Sequence, residues 1–285
     1  MSDISDVVTL TLRAAPAEPL DVDGLTADRV SSLSEREIAA LPAWVGAREA
    51  RLGDFFDVNG ERSARLRIVG ELTNVHGLAS RTAGGEVVIE GNAGRRVAAG
   101  MTAGSVEVRG SVGDDAGMAM GGGVLRISGS AGDRLGAATP GASKGMTGGE
   151  IVLAGSAGAD AGARARRGLI VVGGDVGGDA ARSMIAGTLV VFGRTGPRPG
   201  RGSKRGSIVA LGGIEVPVTY WYACTYEPPH VRLLLMYLRR RYGLEIDDRM
   251  IDGKYRRHCG DAGSPGRGEI LEWIQPTFSG DAANQ

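Results

Sequence analysis

Between residues 85 and 212 the chain repeats one short pattern. The segments GEVVIEG, GSVEVRG, GVLRISG, GEIVLAG, GLIVVGG, GTLVVFG and GSIVALG begin at Gly85, Gly104, Gly123, Gly149, Gly168, Gly187 and Gly206. The second and fourth residues after each leading glycine are apolar, as in Val87/Ile89, Leu125/Ile127 and Leu189/Val191. This period-two alternation predicts a strand with one inward face. The interval is 19 residues, except for one of 26 between Gly123 and Gly149, so one repeat carries a seven-residue insertion. A short fixed period with one strand per repeat predicts a solenoid. The expected fold is all-β dominated: a right-handed parallel β-helix of glycine-rich, ~19-residue rungs stacked at ~4.8 Å. Glycines also recur after each strand (Gly94, Gly113, Gly132, Gly158, Gly177, Gly196), where the chain is expected to turn a corner that a Cβ resists. A column of Met101, Met120, Met146 and Met184 reads as gap-filling core.

The flanks break the period. Val7 to Leu12 alternates as a strand, and Ser34 with Glu37 forms a capping box for a short helix that Pro42 ends. A first coil strand is expected at Ala64–Val69, which makes 1–60 an N-terminal cap over the open end of a β-helix spanning 61–215. In the C-terminal extension, 216–285, Pro229 opens a helix. Its residues Val231, Leu234, Leu235, Leu238 and Tyr242 share one face, Arg239, Arg240 and Arg241 fill the last turn, and Gly243 fits the position after it. Residues 244–285 read as a peripheral tail with one apolar element, Ile270 to Ile274. The outward residues of the last strands are Val152, Val171, Val190 and Val209, an apolar strip of ~300 Å² whose burial is worth on the order of 7 kcal/mol, so the helix or another subunit should cover it.

Charge narrows the classes. The 285 residues hold 33 Lys+Arg and 33 Asp+Glu, so nothing global points to nucleic acid or an anionic membrane. No apolar run reaches the ~18 residues of a membrane span, and MSDISDVV lacks the marks of an export signal; a cytoplasmic protein is expected. Its two cysteines, Cys224 and Cys259, suit a reducing compartment, and His258–Cys259 with Cys224 would need further ligands to hold zinc. The scarcity of lysine, with only Lys144, Lys204 and Lys254, suggests GC-rich coding and a bacterial source. No phosphate loop, HExxH or CxxC motif is present.

Two clusters carry candidate chemistry. One column in register reads Arg96, Asp115, Arg134, Asp160, Asp179, Arg198; its alternating signs predict an ion-pair ladder rather than an acid–base pair of a carbohydrate-active β-helix. The last rungs are strongly basic, and Arg166, Arg182, Arg201, Lys204 and Arg205 are the candidates for binding an anionic coenzyme tail or an acidic partner surface.

With EREIAALPAWVGAREARLGDFFDVNG at 35–60, the AGMTAG, MAMGGG, GMTGG and MIAG corners, and the helix behind Pro228–Pro229, the chain resembles the C-subunit family of formylmethanofuran dehydrogenases over residues 30–245. The C-terminal domain of large glutamate synthase subunits has a similar coil. The resemblance implies a β-helical, non-catalytic subunit of a one-carbon complex. In methanogens that complex is a tungsten or molybdenum enzyme. In methylotrophic bacteria it is a formyltransferase/hydrolase that passes a formyl group from a tetrahydromethanopterin carrier to a methanofuran-type coenzyme and releases formate. The bacterial form is preferred, with formyltransferase-like, amidohydrolase-like and further subunits as partners. No catalytic or metal-binding residue is carried over to this chain, and no coenzyme is expected to bind it alone.

Overall fold

The computed structural model describes residues 7–264 and 266–275. The first six residues of MSDISDVV, the stretch read as lacking an export signal, and the end of the expected tail, 276–285, lie outside the described residues. The chain is dominated by strands: β1 (Val8–Leu12), β2 (Leu20–Asp21), β3 (Pro42–Val45), β4 (Arg48–Arg51), β5 (Phe56–Asn59), β6 (Arg65–Val69), β7 (Val75–His76) and β8 (Ala83–Glu90) come first. They are followed by β9 (Ala103–Arg109), β10 (Val124–Ile127), β11 (Glu150–Leu153), β12 (Leu169–Val172), β13 (Thr188–Val191), β14 (Ser207–Ala210), β15 (Trp221–Tyr226), β16 (Tyr255–Gly260) and β17 (Gly268–Trp273). The described residues also form the α-helices α1 (Ala27–Val30), α2 (Glu35–Ala39), α3 (Pro229–Tyr242) and α4 (Asp248–Ile251), with a 3-10 turn at Leu52–Asp54.

Thirteen strands form one sheet in the order β15-β16-β17-β14-β13-β12-β11-β10-β9-β8-β6-β1-β5. From β6 to β14 neighbours are parallel and stack equivalent residues, as in Leu189↔Ile208 and Val190↔Val209. Outside the strands the repeats stay in register, with parallel bridges running Leu72, Ala93, Val112, Ala131, Ala157, Val176, Thr195. The insertion leaves this stack intact: Ala138 N donates to Ala163 O and Gly145 N to Arg164 O, so the chain between them loops out. Side chains on one face of the sheet, Val87 and Ile89 through Leu189 and Val191, join the main core with the buried methionines.

The two glycine columns serve different ends. The leading glycines have φ between +78° at Gly85 and +108° at Gly187, a region that disfavours L side chains. A Cβ at Gly123, Gly149 or Gly168 would also meet the methyl of Met101, Met120 or Met146 respectively, so each buried methionine fills the gap that the glycine leaves. The column from Gly94 to Gly196 is not the left-handed corner the sequence suggests. None of its members has positive φ; a Cβ at Gly158 would lie 2.1 Å from the Asp133 carboxylate, and one at Gly177 2.7 Å from the Ala159 amide, so these positions are glycine because adjacent repeats approach closely. The left-handed corner residues are instead Arg96, Asp115, Arg134, Asp160, Asp179 and Arg198, with φ from +57° to +65°.

The apolar strip is covered from within the chain. Val152, Val171, Val190 and Val209 are buried with Val231, Leu235, Leu238 and Tyr242 of α3 in a second core. Gly243, at φ +68°, ends α3 by donating to Arg239 O. The far end of the helix is pinned to β11: Tyr237 donates to Glu150 Oε1 at 2.8 Å, and Tyr242 also donates to Glu150.

The stretch after α3 is not peripheral. β17 pairs in parallel with β14, and Leu271 extends the valine strip opposite Val209. Ile270 is fully buried in the main core. Tyr220 donates to Gly200 O at 3.0 Å, and Gly202 N donates to Asp261 at 2.7 Å, so the extension is fastened to the last repeat. At the other end β1 lies parallel to β6 and antiparallel to β5, adding two strands to the same sheet.

Candidate functional site

The charged corner runs along one edge of the stacked repeats. In the left-handed conformation, consecutive repeats present their side chains at the same place, and a guanidinium reaches a carboxylate one repeat away. Arg134 grips Asp115 with two hydrogen bonds, of 2.6 and 2.9 Å, and Arg198 grips Asp179 at 3.2 and 2.6 Å. Arg96 pairs with Asp21 from the N-terminal segment. The expected ion-pair ladder is present. Hydrogen bonds from Arg198, helped by the charges of Arg201 and Arg182, hold the Asp179 carboxyl below its ordinary pKa, and the bond to Asp115 raises that of Arg134.

Two of the five candidate basic residues belong to this ladder. Arg182 donates to Asp160 at 2.6 Å and Arg201 lies 3.1 Å from Asp179, so they are not stacked unpaired charges. Arg166, Lys204 and Arg205 are exposed and make no ion pair among the described residues. Backbone bonds from Arg166 to Met146, Ile185 to Ala165 and Lys204 to Met184 set Arg166 and Lys204 in one column with Ile185 between them. The structure therefore separates the candidates into a neutralised pair at the corner and an unpaired basic set beside it.

The looped-out insertion adds a concavity that the sequence did not reveal. Thr139, Pro140 and Gly141 wall a cavity of about 270 Å³ whose other side is Arg134, Asp160, Arg164 and Arg182. Arg164 fixes the loop by donating to Ala142 O at 2.6 Å. Arg134 is already bonded to Asp115 and Arg182 to Asp160, which leaves Arg164 as the guanidinium of the lining with no carboxylate partner among the described residues. The signal in the sequence was the single 26-residue interval together with arginines on the following repeat.

The remaining polar candidates have structural partners. His76 accepts the Arg95 amide at 3.1 Å, and burial lowers its pKa, so the neutral ring serves as a cap on the first repeat. Cys224 and Cys259 are free thiols on β15 and β16, where Cys224 faces Arg257 and Cys259 faces Trp221. Among the described residues no group of three His, Cys, Asp or Glu side chains is placed to hold a metal ion. No helix of the described residues is long and apolar enough to cross a membrane. Burial pushes the Tyr220 hydroxyl up to about 12, which keeps it a neutral donor to the last repeat.

Known proteins resemble this chain in sequence and in fold. No family model matches the chain. It is 31% identical over 98 residues to the C subunit of the tungsten-containing formylmethanofuran dehydrogenase 2 of Methanothermobacter wolfeii, covering 33% of this chain and 36% of that protein. It is 35% identical over 100 residues to the C subunit of the molybdenum-containing formylmethanofuran dehydrogenase 1 of Methanosarcina barkeri, covering 33% of each. These matches thus span about a third of the curated relatives' length. A chain in the crystal structure of the formyltransferase/hydrolase complex (FhcABCD) from Methylorubrum extorquens with methylofuran superposes over 94% of this chain and 100% of that one. The TM-score is 0.83 at 35% identity. The chain belongs to the C-subunit family of formylmethanofuran dehydrogenases.

Proposed function

We propose that this protein is a non-catalytic scaffold subunit of a cytoplasmic one-carbon complex. The complex transfers a formyl group from formyl-tetrahydromethanopterin to a methanofuran-type coenzyme and releases formate. The observation that carries this reading is the match over 94% of this chain to one chain of a formyltransferase/hydrolase complex whose structure holds methylofuran. The partners would be formyltransferase-like, amidohydrolase-like and further subunits. In this reading residues 61–215 wind as a right-handed parallel β-helix, 1–60 cap one end, and 216–285 supply the helix and the closing strands. A stack of repeats joined by continuous ladders resists bending, which suits a part that holds two active sites at a fixed separation.

In this reading the coenzyme carries an anionic tail, and the chain has cations to meet it. Arg166, Lys204 and Arg205 fit that role best, because their charges are uncommitted; Arg182 and Arg201 would contribute only the hydrogen-bonding capacity left over from Asp160 and Asp179. Reversing Arg166 and Lys204 to glutamate breaks no ion pair. We expect the purified complex of that variant to lose coenzyme by about tenfold while the chain's melting temperature stays within ~2 °C of the parent. Full coenzyme content in the variant would rule out tail binding at these residues. The matches to tungsten and molybdenum enzymes support a second reading, membership of a redox complex. Tungsten or molybdenum co-purifying in stoichiometric amount would decide for it.

A further inference from the structure

We propose that β15 is the seat of an extended strand from another subunit, which adds to the sheet at this end. β15 is the last strand of the thirteen, and no strand among the described residues pairs its outer edge. A bare edge offers alternating N–H and C=O groups that only an extended chain satisfies in series.

The two ends of the sheet differ in how they are protected. At the opposite edge β5 has four residues and carries Asp57, held by Arg13 at 2.8 Å, a short charged strand that discourages pairing. β15 has six residues, Trp-Tyr-Ala-Cys-Thr-Tyr, with no charge and no proline. Its first five residues are exposed, and Trp221 and Tyr222 keep 51% and 58% of their surface in solvent. A strand with strong β propensity, bare on its edge and unprotected by charge, is an association hazard unless it is occupied.

The side chains exposed on and beside this strand point the same way. Of the seven large exposed hydrophobics among the described residues, Val218, Trp221 and Tyr222 lie on β15 or just before it, while Leu233, Met236 and Tyr237 lie on α3, where Tyr237 reaches Glu150 of β11. Large apolar and aromatic side chains exposed along an unpaired edge mark an interface. The occupant they fit is an uncharged strand with apolar side chains flanking it. A different subunit, rather than a second copy, is the choice that follows from the multi-subunit complex to which this chain is similar, so the inference rests on the function proposed above.

Amide hydrogen exchange tests it, on the complex purified through the tagged chain and on the full-length chain alone. The amides of Trp221–Tyr226 should exchange at least about tenfold more slowly in the complex. Equal exchange in both would overturn the proposal. A second test places lysines on the strand, Tyr222→Lys with Thr225→Lys, at exposed positions where the fold should survive, as circular dichroism and melting will show. Association with the other subunits should weaken by about tenfold or more. Wild-type association by a folded double variant would also overturn it, as would an isolated chain that dimerises through this strand. If the wild-type chain purifies without any other subunit, the functional reading itself fails, and the strand proposal falls with it.

Discussion

Replacing Val190 by aspartate is expected to destabilise the protein by about 4 kcal/mol or more. Val190 is fully buried between β13 and α3, with Val171 and Val209 on the neighbouring strands. The members of this second core are apolar apart from the tyrosine hydroxyls, so a carboxylate there would be desolvated without a cation. Its pKa would be raised in the folded state, so the folded state takes up a proton before the unfolded one does, and the deficit should narrow as pH falls. Val190→Ala, which only deletes methyl groups, should lose about 2 kcal/mol. Urea unfolding of the three proteins at neutral and mildly acidic pH measures this. A loss below about 1 kcal/mol for the aspartate variant would mean that α3 does not seal the strip.

The second large effect separates two adjacent glycines. At Gly122 a Cβ would lie 2.2 Å from the carbonyl oxygen of Thr102 on the preceding repeat, and that oxygen belongs to the backbone. At Gly121 the nearest atom to a Cβ is the Thr102 methyl at 3.6 Å, an ordinary contact. Neither residue has positive φ. Gly122→Ala should therefore cost about 3 kcal/mol, because two repeats must part. Gly121→Ala should be neutral or stabilising by up to about 1 kcal/mol, through the entropy of the unfolded chain. Thermal melting of both variants distinguishes them. Equal melting temperatures would contradict the stacking of repeats described above.

The central repeats were legible because each one states its own geometry: a leading glycine at positive φ, two inward apolar residues and, in most of them, a methionine packed against a leading glycine. The capping box at Ser34 and Glu37 and the α3 helix were legible for a similar reason, since both depend on contacts a few residues apart. What failed were features that depend on distance across repeats. The Gly94 column was read as conformational, yet only the spacing between repeats shows that it is steric. β17 carries Gly-Glu-Ile-Leu, close to the Gly-Glu-Ile-Val that opens β11, but Glu269 stands 62 residues after its partner Ser207, off the 19-residue period. β15 has no buried face, so alternation could not announce it.

The candidate site was half legible for the same physical reason. Register alone pairs charges within one column, which found Asp115 with Arg134 and Asp179 with Arg198. A guanidinium is long enough to cross columns, and Arg182 takes Asp160 at a separation of 22 residues. That crossing removed two cations from the basic set and left Arg166, Lys204 and Arg205 as its uncommitted members. The cavity under the insertion escaped because a change of period shows where a loop lies, while the shape it makes depends on Arg164 holding Ala142.

The scaffold reading turns on purification of the tagged full-length chain from its own host, with mass spectrometry of every co-eluting protein and of any furan coenzyme, followed by an assay of formyl transfer. A stable complex is expected, with a formyltransferase-like chain, an amidohydrolase-like chain and bound methanofuran-type coenzyme, releasing formate from formyl-tetrahydromethanopterin. A chain that elutes alone and turns over a small substrate by itself would contradict that reading.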